Sequence, residues 1–145
     1  MKIKVYGCSN GVQQTKLSLQ KLVDHLIVPL EPTANRQKSF IRNDVPVDFL
    51  VNADEQVLAS AMNSLFSSVV CRSQNGCIRI SAKTFNDIVL VHVEDQNNGA
   101  NVPSSTELEE ARPLAEKLGG CITTNDQRNN GTQVTLSFFS PGIAA

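Results

Sequence analysis

The chain of 145 residues has no tryptophan, one tyrosine and no surplus of either charge: 13 Lys and Arg stand against 14 Asp and Glu, a formal −1. Phosphate tracks and anionic lipid surfaces are held by clustered basic side chains, so this balance argues against nucleic acid or a membrane as partner. The densest basic stretch, Arg36, Lys38 and Arg42, lies among Asn and Gln and reads as the solvated end of a helix. No apolar run approaches the roughly 20 residues a membrane helix needs. Residues 1–7 lack the apolar core and small-residue cleavage site of a signal peptide. A cytoplasmic protein is the expectation.

Also missing is any Cys-x-x-Cys pair. Cys8, Cys71, Cys77 and Cys121 are scattered, with no histidine at metal-ligand spacing. That pattern points to idle thiols in a reducing compartment, with a Cys71–Cys77 redox pair or a metal site as the alternatives. The Gly-x-Ser-x-Gly elbow of a hydrolase is absent too, so Ser67 and Ser68 have no nucleophilic setting.

What is present suits one globular domain. Hydrophobic residues make up 41% and charged residues 19%, ordinary proportions for a folded chain. A chain of this length buries roughly 68–70% of its unfolded surface. Residues 1–6 alternate like a short strand or extension. From Thr15 onward Leu17, Leu19, Leu22, Val23, Leu26, Ile27 and Leu30 recur at threes and fours, the stripe of a helix that Pro29 and Pro32 kink or end. Residues 39–43 and 48–51 read as two strands with a turn between them. Residues 54–70 carry Val57, Leu58, Ala61, Met62, Leu65, Phe66 and Val69 at helical spacing, with Asn52 and Asp54 as caps. Residues 78–83 and 88–94 read as a hairpin turning at Asn86-Asp87. A helix over residues 106–118, blemished by Pro113, stops at Gly119-Gly120. Residues 121–124 and 133–139 form the last two strands, and the tail after Ser140 frays. Helix, two strands, helix, two strands, helix, two strands is an α+β order, a two-layer sandwich with a mixed sheet and helices on one face. The domain spans residues 17–140, between an extension at 1–16 and a tail at 141–145.

Several stretches carry a resemblance. Leu118-Gly119-Gly120-Cys121-Ile122 resembles the Gly-Gly-x-Ile that follows one family's last helix, and Asn130-Gly131-Thr132-Gln133-Val134 resembles its closing Gly-Thr-x-Val. Both stand in order behind the strand Val91-His92-Val93-Glu94-Asp95. The family is the ATPase domain shared by histidine kinases, gyrase-type topoisomerases, one class of heat-shock chaperones and the MutL mismatch-repair proteins.

The resemblance implies that Asp95 is the adenine-reading carboxylate, with Gly99, Gly131 and Thr132 on the same side of the nucleotide. It also implies departures. The family's Asn-x-x-x-Asn pattern, whose second Asn holds magnesium, falls on Ser64 and Ser68. Asn63 stands one residue off, about 100° round the helix. The Asp-x-Gly-x-Gly turn becomes Asp95-Gln96-Asn97-Asn98-Gly99. Where a glycine-rich lid should cradle phosphates at a helix N-terminus, residues 102–108 hold no glycine, and Glu107, Glu109 and Glu110 bring negative charge. Phosphoryl transfer needs a metal and positioned donors to neutralise phosphate charge.

The resemblance therefore implies a degenerate module with no catalytic residue, acting on a protein partner in bacterial signalling: a kinase, a response regulator or a sigma-type factor. No resident cofactor is expected in that reading. One alternative is an ATP-binding catalytic domain, of a sensor histidine kinase or an anti-sigma-like serine kinase, taking ATP or ADP with magnesium on ligands such as Glu55, Asn63 or Asn98. Another is a nucleotide-free homodimer joined through the strand at residues 2–6. His25 with Pro29-Leu30 resembles a phosphoacceptor motif but is one residue short, and it reads as structural, as does His92.

Overall fold

A computed structural model describes residues 15–73, 75–95, 108–127 and 131–141. The chain enters as strand β1 (Thr15–Ser18) and turns at once into helix α1 (Leu19–Ile27), where the Ser18 hydroxyl accepts from the Lys21 amide at 3.4 Å. Leu19, Leu22, Val23 and Ile27 form the buried stripe of α1. Pro29 sits in a 3-10 turn (Val28–Leu30), and Pro32 in the first turn of α2 (Glu31–Arg36). Both positions suit a residue without an amide proton, so the prolines end one helix and open another.

Strands β2 (Phe40–Asn43) and β3 (Leu50–Ala53) lead to α3 (Glu55–Arg72). Asp54 caps α3, its carboxylate accepting from the amides of Gln56 at 3.0 Å and Val57 at 3.2 Å. Next come β4 (Cys77–Phe85) and β5 (Ile88–Asp95), joined at Asn86, whose φ of 57° lies in the left-handed region that Asn tolerates. Helix α4 (Ala111–Lys117), β6 (Cys121–Gln127) and β7 (Gly131–Phe139) complete the fold.

Five strands run in the order β2-β4-β5-β7-β6, with β2 parallel to β4 and the other pairs antiparallel. Along β5, Val89, Val91, Val93 and Asp95 are buried, whereas Ile88, Leu90, His92 and Glu94 are half-exposed. Strand side chains alternate between faces, so one face of the sheet carries the core and the other is open. The core face lies under α3, α4 and α1, which pack together as one layer. This is the expected two-layer α+β sandwich with a mixed sheet.

Four local expectations change. Residues 15–18 are strand rather than helix. They pair antiparallel with β3, Leu17 opposite Val51, as a separate two-stranded sheet, and the helix waits for the Ser18 cap. The strands read at residues 39–43 and 48–51 form at Phe40–Asn43 and Leu50–Ala53, the second starting two residues later; they lie in different sheets, because the Asp44 amide continues toward the Ile80 carbonyl and the turn at Pro46 and Phe49 carries the chain away to β1. The final helix opens at Ala111, after a turn at 108–110, which leaves Pro113 in the first turn where it fits. Arg42 is no helix end: it stands on β2, paired with Asp44 at 3.0 Å. The strand read at residues 1–6 lies outside the described residues.

Gly119-Gly120 has a steric reason. Gly119 has φ +79°, and a Cβ on Gly120 would overlap the carbonyl oxygen of Ser137. The turn after α4 thus presses directly on β7.

Candidate functional site

Asp95 ends β5 on the core face. It is 2% exposed, in register with Ile78 on β4 and Thr132 on β7. Its parity with Val91 and Val93 puts it there, so a carboxylate occupies a position that elsewhere on β5 holds a valine. Gly131 and Thr132 open β7 beside it, with Gly131 opposite Gln127 and Thr132 opposite Asp126 on β6. Three of the sequence-predicted residues, Asp95, Gly131 and Thr132, are therefore brought to one end of the sheet. Gly99 lies outside the described residues, as do Asn98 and Glu107.

Ser64 and Ser68 stand one turn apart on α3, half-buried at the margin of its core stripe. The Ser68 hydroxyl donates to the Ser64 carbonyl at 3.0 Å, a bond back onto its own helix. A serine oxygen also sits closer to the backbone than an asparagine amide oxygen, so it does not reach as far into the space beside α3. Among the described residues no group of three or more His, Cys, Asp or Glu side chains is placed to hold a metal. Ser64 and Ser68 bring no amide or carboxylate side-chain oxygen to this part of α3.

The other proposed ligands are elsewhere. Glu55 begins α3, about 20 Å along the helix from Ser68 at 1.5 Å per residue, and Asn63 faces outward, exposed. Glu55 instead borders an open pocket of about 300 Å³ with Leu17, Ser18, Lys21, Leu22 and His25.

His92 faces the open side of the sheet, opposite Asp95. Its Nδ1 lies 2.9 Å from Thr135 Oγ1 and 3.4 Å from Gln133 Nε2. An amide nitrogen has only protons to offer, so in that contact Nδ1 is the acceptor. Desolvation and the Lys83 charge hold His92 below the ordinary imidazole value, against the opposing pull of Glu94. Cys71, Cys77 and Cys121 are free thiols, and burial pushes the Cys77 thiol up.

Two polar clusters give no sign in the sequence. Asp44 bridges Arg42 at 3.0 Å and Arg79 at 2.6 Å. Desolvation pushes its carboxyl up, but the hydrogen bonds and charges of Arg79 and Arg42 outweigh that and hold it below its ordinary value. The buried hydroxyls of Ser39 and Ser73 are hydrogen-bonded at 2.8 Å, and Ser39 also accepts from the Gly76 amide at 3.2 Å. That pair ties the end of α3 to the start of β2, and each serine is ordinary by its neighbours in sequence.

No protein-family model and no curated protein matches the chain. Solved structures do. The Acinetobacter baumannii histidine kinase AdeS superposes with a TM-score of 0.77 at 14% identity, covering 90% of this chain and 69% of AdeS. The catalytic domain of histidine kinase ThkA, in a nucleotide-free form, superposes with a TM-score of 0.71 at 18% identity, covering 88% of this chain and 97% of that domain. Full-length ShkA in complex with AMPPNP gives a TM-score of 0.77 at 15% identity over 94% of this chain, which spans 33% of that protein. The fold is that of histidine kinase catalytic domains.

Proposed function

We propose that a chain with a histidine kinase ATPase-type fold serves here as a regulatory, protein-binding module without ATP hydrolysis or kinase activity. The observation that supports this most is the Ser64 and Ser68 stripe. It stands where the resemblance puts two asparagines, the second of them the magnesium ligand, and the Ser68 hydroxyl turns onto the Ser64 carbonyl. Phosphoryl transfer in this class of chemistry is mostly positioning and charge neutralisation, and a Ser68 hydroxyl bonded to its own helix is poorly placed to hold the metal that supplies the charge. Buried Asp95 beside Thr132 is the side of the site that the reading treats as retained. On this reading the module acts through a signalling partner: a kinase, a response regulator or a sigma-type factor.

Calorimetry with ADP, with and without magnesium, and an ATP hydrolysis assay test the reading. The expected result is no metal-dependent heat and no hydrolysis that Asp95→Ala removes; weak, metal-free binding of adenosine is compatible with a retained base pocket. Tight magnesium-dependent binding, or phosphate transfer lost in Asp95→Ala, overturns the reading and favours a catalytic domain with unconventional ligands.

A further inference from the structure

Phe85, Ile88 and Phe139 are direct register partners across β4, β5 and β7, so they form one row at the hairpin end of the sheet's open face. Phe85 is 71% exposed and Phe139 44% exposed. At about 200 Å² per ring, the two rings leave roughly 230 Å² of aromatic surface in water. A contiguous apolar row, unlike a single exposed ring, marks a contact surface.

We propose that this face docks on the same face of a second copy of the chain, about a two-fold axis running along β5. The residue pattern selects that occupant. Strand β5 is the middle of the order β2-β4-β5-β7-β6, so a half-turn about it exchanges β4 with β7. Across those three strands the row reads Phe, Ile, Phe, the same from either side. The half-turn therefore lays Phe85 on Phe139 of the second copy, and Ile88 on its own equivalent. Leu90, the next outward residue of β5, also meets its equivalent. A two-fold contact requires this self-match, with residue i on j and j on i, whereas an unrelated protein places no such demand on the row.

Charge fits the same half-turn. Lys83 is level with Leu90 and Ser137, so it falls on Ser137 of the second copy; Arg79 is level with Glu94 and Gln133, so it falls on Gln133. Neither cation is laid on a cation. Glu94 meets its equivalent, but Arg79 stands beside it in register on its own chain and offsets that repulsion. His92 meets its equivalent too, and a pKa held below the ordinary imidazole value leaves it largely uncharged at pH 7.5.

The area suits a weak dimer. Strands that rise about 3.3 Å per residue and lie about 4.8 Å apart give the five-strand face roughly 600 Å² in plan. Two copies then bury about 1,200 Å², the lower end for a specific interface. Sheets pack face to face in this way about 10 Å apart, with their strands within about 30° of each other. The chain is accordingly monomeric when dilute. This inference does not depend on the proposed function.

Sedimentation equilibrium of the full chain from 1 to 500 μM at pH 7.5 tests it. The mass should rise from one copy to two and stop there, because a two-fold contact closes on itself. Phe85→Glu, which sets a carboxylate against the facing Phe139 ring, should weaken association about ten-fold or more, the loss of one aromatic anchor. Thr84→Glu makes the same change one residue away, at an exposed position of opposite parity, and should leave association within about two-fold. Far-UV circular dichroism of both variants in dilute solution should match the unaltered chain. If Phe85→Glu does not fold, Phe85→Ser makes the same comparison. A single copy at 500 μM overturns the inference. So does a dimer that Phe85→Glu leaves intact, which moves the contact elsewhere, or a mass that climbs past two copies, which makes the contact head-to-tail.

Discussion

Gly120 has no room for a side chain. Any side chain there meets the backbone oxygen of Ser137, which cannot swing aside as a side chain would. Gly120→Ala should therefore cost several kcal/mol in urea unfolding or prevent folding. Gly119→Ala, strained by φ but facing only the Phe139 Cβ at 3.1 Å, should cost about 1 kcal/mol. His92 sets a different expectation. Its pKa is depressed in the fold, so above the unfolded value of about 6.5 both states are neutral and nothing is lost. As pH falls through that value the unfolded chain takes up a proton first, and stability drops until the folded pKa is passed. Thermal melts between pH 7.5 and 5 should fall less steeply in His92→Gln than in the unaltered chain. Asp44 acts in the same direction at lower pH, its ion pairs being lost as pH falls below about 4.

At the scale of elements, β1 and β3 form the most detachable unit. Their sheet has two strands of four residues each, and the Asn52 amide is tied to the body by the buried Ser140 hydroxyl. Ser140→Ala leaves that amide without its acceptor, a loss of about 1–2 kcal/mol. Backbone amides of β1 and β3 should exchange with deuterium faster in this variant, with little change along β5. The same unit shows where sequence reading ended. Helix α3 is legible because its apolar residues keep one period over eighteen residues, and β5 because it is an apolar, β-branched run between turn formers. Asp95 is legible through the resemblance carried by Val91-His92-Val93-Glu94-Asp95, and its burial follows from the parity it shares with Val91 and Val93. Strand β1 is not, because Leu17 falls in step with the stripe of α1 and only a distant partner, Val51, makes it a strand. Nor is the Ser68 bond to Ser64, since a hydroxyl half-buried on a helix has several acceptors within reach and packing chooses among them.

The whole molecule is one-sided, a sheet with its core on a single face. Neighbouring residues of β5 should show that directly. Val91→Ala, at the fully buried centre, should cost about 2 kcal/mol in denaturant unfolding, whereas Leu90→Ala on the open face should cost well under that. Equal losses would contradict the two-layer description. With one contiguous core, both variants should still unfold in a single transition followed by circular dichroism.

The pairing of β1 with β3, and the hydrogen bonds from Asn52 of β3 to Ser140 and Pro141, bring residues 15 and 141 within about 10 Å, two strand spacings. Closely spaced ends make a fold indifferent to where its covalent thread is cut. A circular permutant, with residues 15 and 141 bridged by a few glycines and new termini opened at the Asn86-Asp87 turn, should assemble the same sheet. The module is likewise suited to being spliced into a surface loop of another polypeptide, entering and leaving through one narrow neck.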